Sequence, residues 1–211
     1  MAVTGRVRTQ IDWINVLTSE ARLTDVVLTG EIAARYKLPT GSTRKALTRL
    51  TRRGLLSRVT DDVYANKLVR DIAAADFMRV LRLKSYVSLE SALSHWGLST
   101  QSPLALTCVT TGAPKEYRTP EFSISFRTIS DRLYWGFIEK QTRYSKYWIA
   151  EPEKALLDWI YLSLKIGARP SLDELDFKPV DRKKLAQYME KYPDTVRTVL
   201  MRSLAFEQFA V

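Results

Sequence analysis

One short segment of the sequence concentrates side chains that could bind a polyanion. When residues 43–53 are placed on a helix at about 100° per residue, the apolar ones fall together on one side. The opposite side carries four cations and a hydroxyl, namely Arg44, Lys45, Thr48, Arg49 and Arg52. The segment contains no acid, whereas a solvated helix surface normally mixes both signs so that residues four apart can pair. The pattern therefore predicts a surface that binds phosphate.

The residue types that perform most enzyme chemistry are scarce in this chain. His95 and Cys108 are the single histidine and cysteine, and both lie in patterns typical of structural positions. Metal sites usually draw on several Cys and His side chains, and the sequence has no phosphate loop, dinucleotide motif or nucleophile elbow. Nothing favours Asp131, Glu139 or Glu151 as the carboxylates of a nuclease. We therefore expect a protein that is not an enzyme and uses neither cofactor nor metal.

The basic segment needs neighbouring elements to position it, and the sequence predicts them on both sides. Apolar residues at helical spacing predict a first helix at residues 8–19. Thr29 can cap a short second helix that ends near Tyr36. After the basic segment, residues 55–59 and 63–65 are β-prone and are separated by Thr60-Asp61-Asp62, which has the composition of a turn. The sequence thus predicts a small hairpin.

The ends of the basic helix are marked by residues that favour turns and caps. Residues 37–41 predict a turn, because Pro39 and Gly41 both disfavour a helix. Ser42 is the expected N-cap of the basic helix. Gly54 stands where that helix should end in a left-handed conformation.

This order of elements is typical of a winged helix-turn-helix. Such a fold inserts its last helix into the major groove, where long cationic side chains reach base edges and phosphates. Most contacts in such interfaces go to phosphate rather than to bases. The residues that we expect to contact DNA are Ser42, Thr43, Arg44, Lys45, Thr48, Arg49, Arg52, Arg53, Arg35, Lys37 and Arg58.

The charge of the chain supports a polyanionic partner. Its 211 residues carry 33 Lys and Arg against 23 Asp and Glu, a net charge of +10. Residues 1–70 hold 13 of the cations and 6 of the acids, a net of +7, so a third of the chain carries most of the charge. Such asymmetry favours a nucleic-acid partner. A hydrophobic content of 45% is typical of a folded domain, and no secretory signal or membrane span is recognisable, so we expect a cytoplasmic location and no membrane partner.

The rest of the chain predicts a mixed domain with a small sheet and several helices. Together with the winged helix-turn-helix, this gives an α+β fold. Ser88 is the expected N-cap of one helix, and Gly97 is expected to end it. Pro152 is well placed to begin another, with Glu151 and Glu153 favouring its positive end. The predicted elements are a connecting helix at 71–81, a helix at 89–96, strands at 104–110, 122–127, 134–137 and 147–150, a polar loop at 115–119, and helices from 152 to 164, 181–191 and 193–206.

Two segments resemble signatures of AbiEi-type antitoxins. They are residues 86–98, YVSLESALSHWGL, and residues 149–158, IAEPEKALLD. Residues 107–112 and Arg118-Thr119-Pro120 resemble the family's intervening strand and loop, so the resemblance covers about residues 10–165. One position departs from the pattern, because members of the family often have Gly before the Val-Tyr of the second hairpin strand. Here that residue is Asp62, which tolerates a positive φ less well than Gly.

The resemblance implies the antitoxin of a type IV toxin–antitoxin pair. The winged helix of such a protein represses its own operon at promoter inverted repeats. Its C-terminal domain counteracts a nucleotidyltransferase-like toxin, with or without a stable complex. For this chain it implies a winged helix at 1–67, a connecting helix at 68–84 and an antitoxin domain at 85–211. We expect a monomer in solution and two copies on DNA.

The motif residues also have simpler interpretations. The polar residues that the resemblance assigns to antitoxin activity are Ser88, Glu90, His95, Glu153, Lys154 and Asp158. Several of them can instead cap or begin helices. Lys154 and Asp158 lie four residues apart and are expected to pair on a helix surface.

Two other functions remain open from the sequence. The first is an interaction module whose basic surface binds an acidic protein or tRNA. The second is a winged-helix regulator that has no toxin partner and whose C-terminal domain senses a ligand or binds another protein.

Overall fold

A computed structural model describes residues 10–208, with side chains from Trp13 to Arg202. The described residues form eight α-helices, a three-stranded sheet and a six-stranded mixed sheet, so the fold is α+β as predicted. No helix in this part of the chain combines the length and apolar character needed to cross a bilayer.

The N-terminal elements follow the predicted order, with one additional strand. They are α1 (Gln10–Glu20), β1 (Val26–Leu28), α2 (Thr29–Arg35), α3 (Thr40–Arg52), β2 (Leu56–Arg58) and β3 (Val63–Asn66). The strands form an antiparallel sheet in the order β1-β3-β2. The sequence did not predict β1, because three residues are too few to show alternation. Residues 8 and 9 of the predicted first helix lie outside the described residues.

The small N-terminal core fixes which face of α3 points outward. Ala46, Leu47 and Leu50 of α3 are buried against Leu17 of α1 and Ile32 of α2. The inner side predicted from the helical wheel is therefore confirmed. The cationic side of α3 faces away from this core.

The predicted start of α3 is wrong by three residues, because the helix begins at Thr40 and not at Thr43. Pro39 occupies the N-cap position with an extended backbone, and Gly41 lies inside the first turn. Glycine is tolerated there, because the first N–H groups of a helix make no intrahelical bonds and demand little of the residue. Ser42 is therefore not the N-cap, and its hydroxyl donates instead to the carbonyl of Pro39 at 2.9 Å.

The larger sheet carries helices before, between and after its strands. Its order is β6-β7-β5-β4-β9-β8, with parallel pairs β5–β7 and β4–β9 and antiparallel pairs elsewhere. The elements are α4 (Ala74–Leu81), β4 (Ser85–Val87), α5 (Leu89–His95), β5 (Leu106–Thr110), β6 (Lys115–Arg118), β7 (Ser123–Thr128), β8 (Phe137–Gln141), β9 (Lys146–Ala150), α6 (Pro152–Lys165), α7 (Arg182–Met189) and α8 (Asp194–Gln208).

One predicted loop is a strand. Residues 115–119 were expected to be a polar loop, but Lys115–Arg118 form β6 at the edge of the sheet. Tyr117 is buried there, whereas its neighbours Glu116 and Arg118 are exposed. An edge strand can be largely polar because one side of its backbone is free for solvent. The polar composition of β6 is why the sequence predicted a loop.

Strand β3 connects the two hydrophobic cores. Tyr64 is buried in the N-terminal core, whereas its neighbours Val63 and Ala65 belong to the core of the larger sheet. Successive side chains of a strand point to opposite faces, so the small sheet is covered on both sides. Phe77 and Met78 of α4 are also buried in the larger core. The division of the chain at residues 67 and 84 stays a prediction.

A pair of buried carboxyl groups lies where the N-terminal elements meet the larger sheet. Asp25 precedes β1 and Asp76 lies on α4, and both side chains are at least 95% buried. The backbone N–H of Ala73 donates to Asp25, while the hydroxyls of Thr142 and Ser145 in the β8–β9 turn donate to Asp76. Burial, with the nearby Asp76 charge second, raises the pKa of Asp25 to about 7.

This pair predicts a pH dependence of stability. A carboxyl whose pKa rises from 3.8 to about 7 on folding holds its proton more tightly in the folded state. Its stabilising contribution is full below about pH 4 and is lost as pH rises towards 7. Asp25→Asn, which stays neutral, should exceed wild type in free energy of unfolding at pH 8 by about 1–3 kcal/mol. At pH 5 the difference should be smaller.

Urea unfolding at pH 5 and pH 8 measures this difference. Asp173→Asn, at an exposed position, is the control and should shift stability equally at both pH values. A difference between Asp25→Asn and wild type that is the same at pH 5 and pH 8 would contradict the assignment.

Candidate nucleic-acid interface

The outer face of α3 presents a group of unpaired cations. Lys45, Arg49, Arg52 and Arg53 are exposed, and no acid of the described chain lies within ion-pairing distance of them. We call these four residues the free cations of α3. Thr48 lies among them, and its hydroxyl donates to the carbonyl of Arg44 at 2.9 Å. This part of the predicted surface is assembled as expected.

Three of the predicted contact residues are already paired with acids. Arg44 binds Asp62, Arg58 binds Asp61, and Arg35 of α2 binds the buried Glu20 at 2.6 Å. The expectation of a surface without acids is therefore wrong, because the hairpin turn brings two carboxylates to it. The sequence of α3 alone could not show this, since Asp62 is 18 residues away from Arg44.

Thr43 and Ser42, two further residues of the predicted set, donate their hydroxyls to a carbonyl of the protein itself. Lys37 makes no ion pair within the described chain. Thr43 is only 1% exposed, and its hydroxyl donates to the Pro39 carbonyl at 3.0 Å. It cannot reach DNA in this conformation, so the prediction that Thr43 contacts DNA is wrong. Ser42 is exposed beside it. Lys37 is exposed at the end of α2 with a left-handed backbone, φ 52°.

The turn between β2 and β3 accommodates Asp62 without a left-handed backbone. In the described chain Lys37 and Leu89 are the non-glycine residues with positive φ. The replacement of the Gly that is common in the resembled family by Asp62 therefore causes no backbone strain at this position. The Asp62 carboxylate accepts from Arg44 Nε at 2.9 Å and Nη2 at 3.0 Å, and these hydrogen bonds hold its pKa below the usual range.

The second predicted pair, Lys154 with Asp158, forms inside the protein rather than on its surface. Both side chains are completely buried on α6. Lys154 Nζ donates to Asp158 and lies 5.5 Å from the ring centre of Tyr86 and 5.1 Å from that of Trp135. Burial lowers the pKa of Lys154, and the Asp158 charge opposes this change. The expected surface position is therefore wrong.

Asp158 is the centre of a buried hydrogen-bond cluster. Its carboxylate accepts from Lys154, from the hydroxyls of Tyr192 at 2.7 Å and Tyr86 at 2.8 Å, and from Ser88 Oγ at 2.9 Å. A carboxylate has about four acceptor positions, so this one is saturated. We call these five residues the Asp158 cluster. The sequence motifs did not include Tyr86 as a polar residue or Tyr192 at all.

The remaining motif residues are not part of the Asp158 cluster. Glu90 is exposed and accepts from Trp159 Nε1 at 3.2 Å. His95 is also exposed, and partial burial followed by the charge of Lys140 lowers its pKa. Glu153 is buried and accepts from the backbone N–H of Asp181 at 2.8 Å. The structure thus divides the six motif residues between core and surface.

Helix α5 begins differently from the prediction. Ser88 occupies the N-cap position of α5, but its hydroxyl binds Asp158 and makes no cap. Thr107 Oγ1 of β5 accepts instead from the N–H of Ser91 at 2.9 Å. Gly97 does end the helix with φ 78°, as predicted.

Three of the side chains considered for catalysis are buried or engaged in ion pairs. Cys108 is completely buried, and burial raises the pKa of its thiol, which disfavours the reactive thiolate. Glu139 and Glu151 are engaged by Lys146 and Lys184. No group of three or more His, Cys, Asp or Glu side chains among residues with described positions could hold a metal ion.

A groove that sequence analysis did not detect lies beside α5 and α6. It has a volume of about 380 Å³, and its lining includes Glu90, Leu93, Trp159, Ser163, Arg169 and Glu174. Its lining comes from two distant stretches of the chain, residues 90–103 and 159–175, and no local pattern in the sequence connects them.

The Asp158 cluster predicts a large effect of single substitutions on stability. Asp158→Asn leaves the buried Lys154 without a counter-ion, which typically costs about 3–5 kcal/mol. Tyr192→Phe removes one donor from the carboxylate and one acceptor from Lys154, and should cost about 1–3 kcal/mol. Urea unfolding followed by circular dichroism measures both values.

Glu90→Gln is the control from the same motif. Glu90 is exposed, so this variant should stay within about 0.5 kcal/mol of wild type. If Tyr192→Phe were as stable as wild type, the cluster would not stabilise the fold.

Comparison with known proteins gives no family assignment for this chain. No protein-family model matches it, and no curated protein matches it significantly. The geometry of α3 and its surroundings, together with the resemblance of the two short motifs, is therefore the basis for inferring a function.

Proposed function

We propose that the protein is a DNA-binding repressor of its own operon and the antitoxin of a type IV toxin–antitoxin pair. The observation that carries the DNA-binding part is the set of free cations on α3. They project from a helix whose opposite side is buried, in the element order of a winged helix-turn-helix. In this proposal α3 lies in the major groove and the β2–β3 hairpin lies beside it.

The phosphate backbone is the natural ligand of the free cations. Lys45, Arg49 and Arg52 recur at intervals of three and four residues, so they form a continuous row along one side of α3. Each Lys or Arg that neutralises a phosphate releases counterions, which makes binding steeply dependent on salt. Two copies on inverted repeats would double this dependence.

The antitoxin part of the proposal rests on the resemblance of residues 86–98 and 149–158. Tyr86 and Ser88 from the first motif meet Lys154 and Asp158 from the second in the Asp158 cluster. The two motifs therefore include residues that hold one fold together. We propose that the surface supported by this cluster counteracts the nucleotidyltransferase-like toxin, and that no catalytic step by this chain is involved.

The groove beside α5 and α6 favours a second candidate function. Its volume of about 380 Å³ falls within the range of small-molecule sites. In this alternative, the protein is a regulator whose C-terminal part senses a ligand and that has no toxin partner. A ligand that changes operator affinity would distinguish this function from the first.

Footprinting on the DNA upstream of the gene, across a salt series, tests the repressor. We expect two protected half-sites that weaken steeply as salt rises. Arg49→Ala and Arg52→Ala should each weaken binding on all sequences. Each should also reduce the slope of log affinity against log salt by about one for every phosphate that the variant no longer neutralises.

The matched controls are Arg182→Ala and Lys183→Ala on α7, which remove the same charge from exposed positions of the C-terminal part. They should leave the footprint and the salt slope unchanged. Equal losses in both sets of variants would indicate a general effect of net charge. A wild-type protein without a discrete footprint at low salt would contradict operator binding.

Point variants also separate the two proposed activities. A truncation after residue 67 would expose Val63 and Ala65, which are buried in the larger core, so the full chain is the proper material. Arg49→Ala should lose repression of the promoter while still protecting cells from the neighbouring toxin. If protection and repression were lost together in a variant of wild-type stability, the proposed separation of activities would be wrong.

A further inference from the structure

The ion pair between Arg44 and Asp62 differs from the other charges around α3. Arg44 Nε and Nη2 donate to the two carboxylate oxygens at 2.9 and 3.0 Å, so the contact is bidentate. Both side chains are about half exposed, at 49% and 52%. An exposed pair contributes little to stability, so stability alone does not account for this geometry.

The pair leaves the recognition end of the guanidinium open. Arginine has five N–H donors in a fixed plane. Asp62 occupies one edge of that plane, formed by Nε and Nη2. The outer edge, formed by Nη1 and the second hydrogen of Nη2, is not used by Asp62. Two parallel N–H groups of this kind match the O6 and N7 acceptors of guanine in the major groove.

Asp62 is itself held in place by the backbone. Its carbonyl accepts from the N–H of Thr29 at the start of α2, at 3.0 Å. The next residue, Val63, pairs with Leu28 in the small sheet. The backbone of Asp62 is thus fixed relative to α2, which packs in one core with α3, the helix that carries Arg44. Ordering a free arginine side chain costs conformational entropy, and this contact lowers that cost before DNA binds.

The charge of Asp62 argues against a role in general affinity. A carboxylate beside a phosphate-binding surface repels the DNA backbone, so it weakens binding to every sequence. The presence of Asp62 is explained if this carboxylate improves discrimination between DNA sequences. Arg44 is in the N-terminal half of α3, the part of a recognition helix that contacts base edges.

Building on the proposed function, we propose that Arg44 reads a guanine in the operator and that Asp62 is the positioning residue that holds Arg44 for this contact. The free cations of α3 then supply affinity for the backbone, while the Arg44–Asp62 pair supplies sequence preference.

The test compares binding to the operator, to a set of operators with single base-pair changes, and to an unrelated duplex, at one salt concentration. Arg44→Ala should lose about 5- to 150-fold of discrimination at one G·C pair. Asp62→Ala and the isosteric Asp62→Asn should lose discrimination at the same pair. Their affinity for the unrelated duplex should stay equal or rise, because a negative charge is removed.

The double variant Arg44→Ala/Asp62→Ala should discriminate no worse than Arg44→Ala, because the two residues act as one unit. Asp61→Ala is the matched control, since it removes the same charge from the same turn but contacts Arg58. It should retain discrimination at the G·C pair. Thermal unfolding of each variant shows whether the hairpin is intact.

Two outcomes overturn the inference in different ways. If wild type makes a footprint but both Asp62 variants keep full discrimination, or lose affinity equally on all duplexes, Asp62 does not position Arg44. If wild type makes no discrete footprint, the proposed function fails, and the inference fails with it.

Discussion

The larger part of this protein depends on one saturated carboxylate. Asp158 sits on α6 and accepts four hydrogen bonds, which come from β4, from the residue before α5, from α6 itself and from the segment between α7 and α8. A buried carboxylate is costly unless all of its acceptor positions are filled. The cluster therefore forms only when the sheet and the surrounding helices are all in place, and it specifies their mutual arrangement.

A second group of buried carboxyls lies where the N-terminal elements join the larger sheet. Asp25 and Asp76 lie together at this junction. Asp25 accepts from the backbone N–H of Ala73, and Asp76 accepts from two hydroxyls of the β8–β9 turn. Val63 and Ala65 of β3 bury apolar surface in the core of the larger sheet. The carboxyl groups fix the relative orientation of the elements that they join, because hydrogen bonds, unlike apolar contacts, require one particular geometry. The three-stranded sheet consequently belongs to both cores and orients α3 relative to the rest of the chain.

Local patterns predicted most of the elements, and spatial neighbours decided the rest. The buried side of α3, the start of α6 at Pro152 and the end of α5 at Gly97 each follow from residues adjacent in sequence. Strands β1, β4 and β6 were missed, because β1 and β4 are too short and β6 is too polar to show alternation. The spacing of Lys154 and Asp158 predicted their pairing but not their burial, since that depends on Tyr192 from a distant segment. Likewise, the helical wheel of α3 could not include Asp62.

The positions of the cations on α3 have two physical explanations that experiment can separate. Arg49 and Arg52 lie in the last turn of the helix, where positive charge also interacts favourably with the helix dipole, by about 0.3–1 kcal/mol. A role confined to the dipole would require only that cations stand near the C-terminal end. It would not explain why Lys45 is also unpaired in the first half of the helix, or why the exposed row is continuous. A phosphate-binding role accounts for both, because the backbone of a duplex follows the whole length of a helix in its groove.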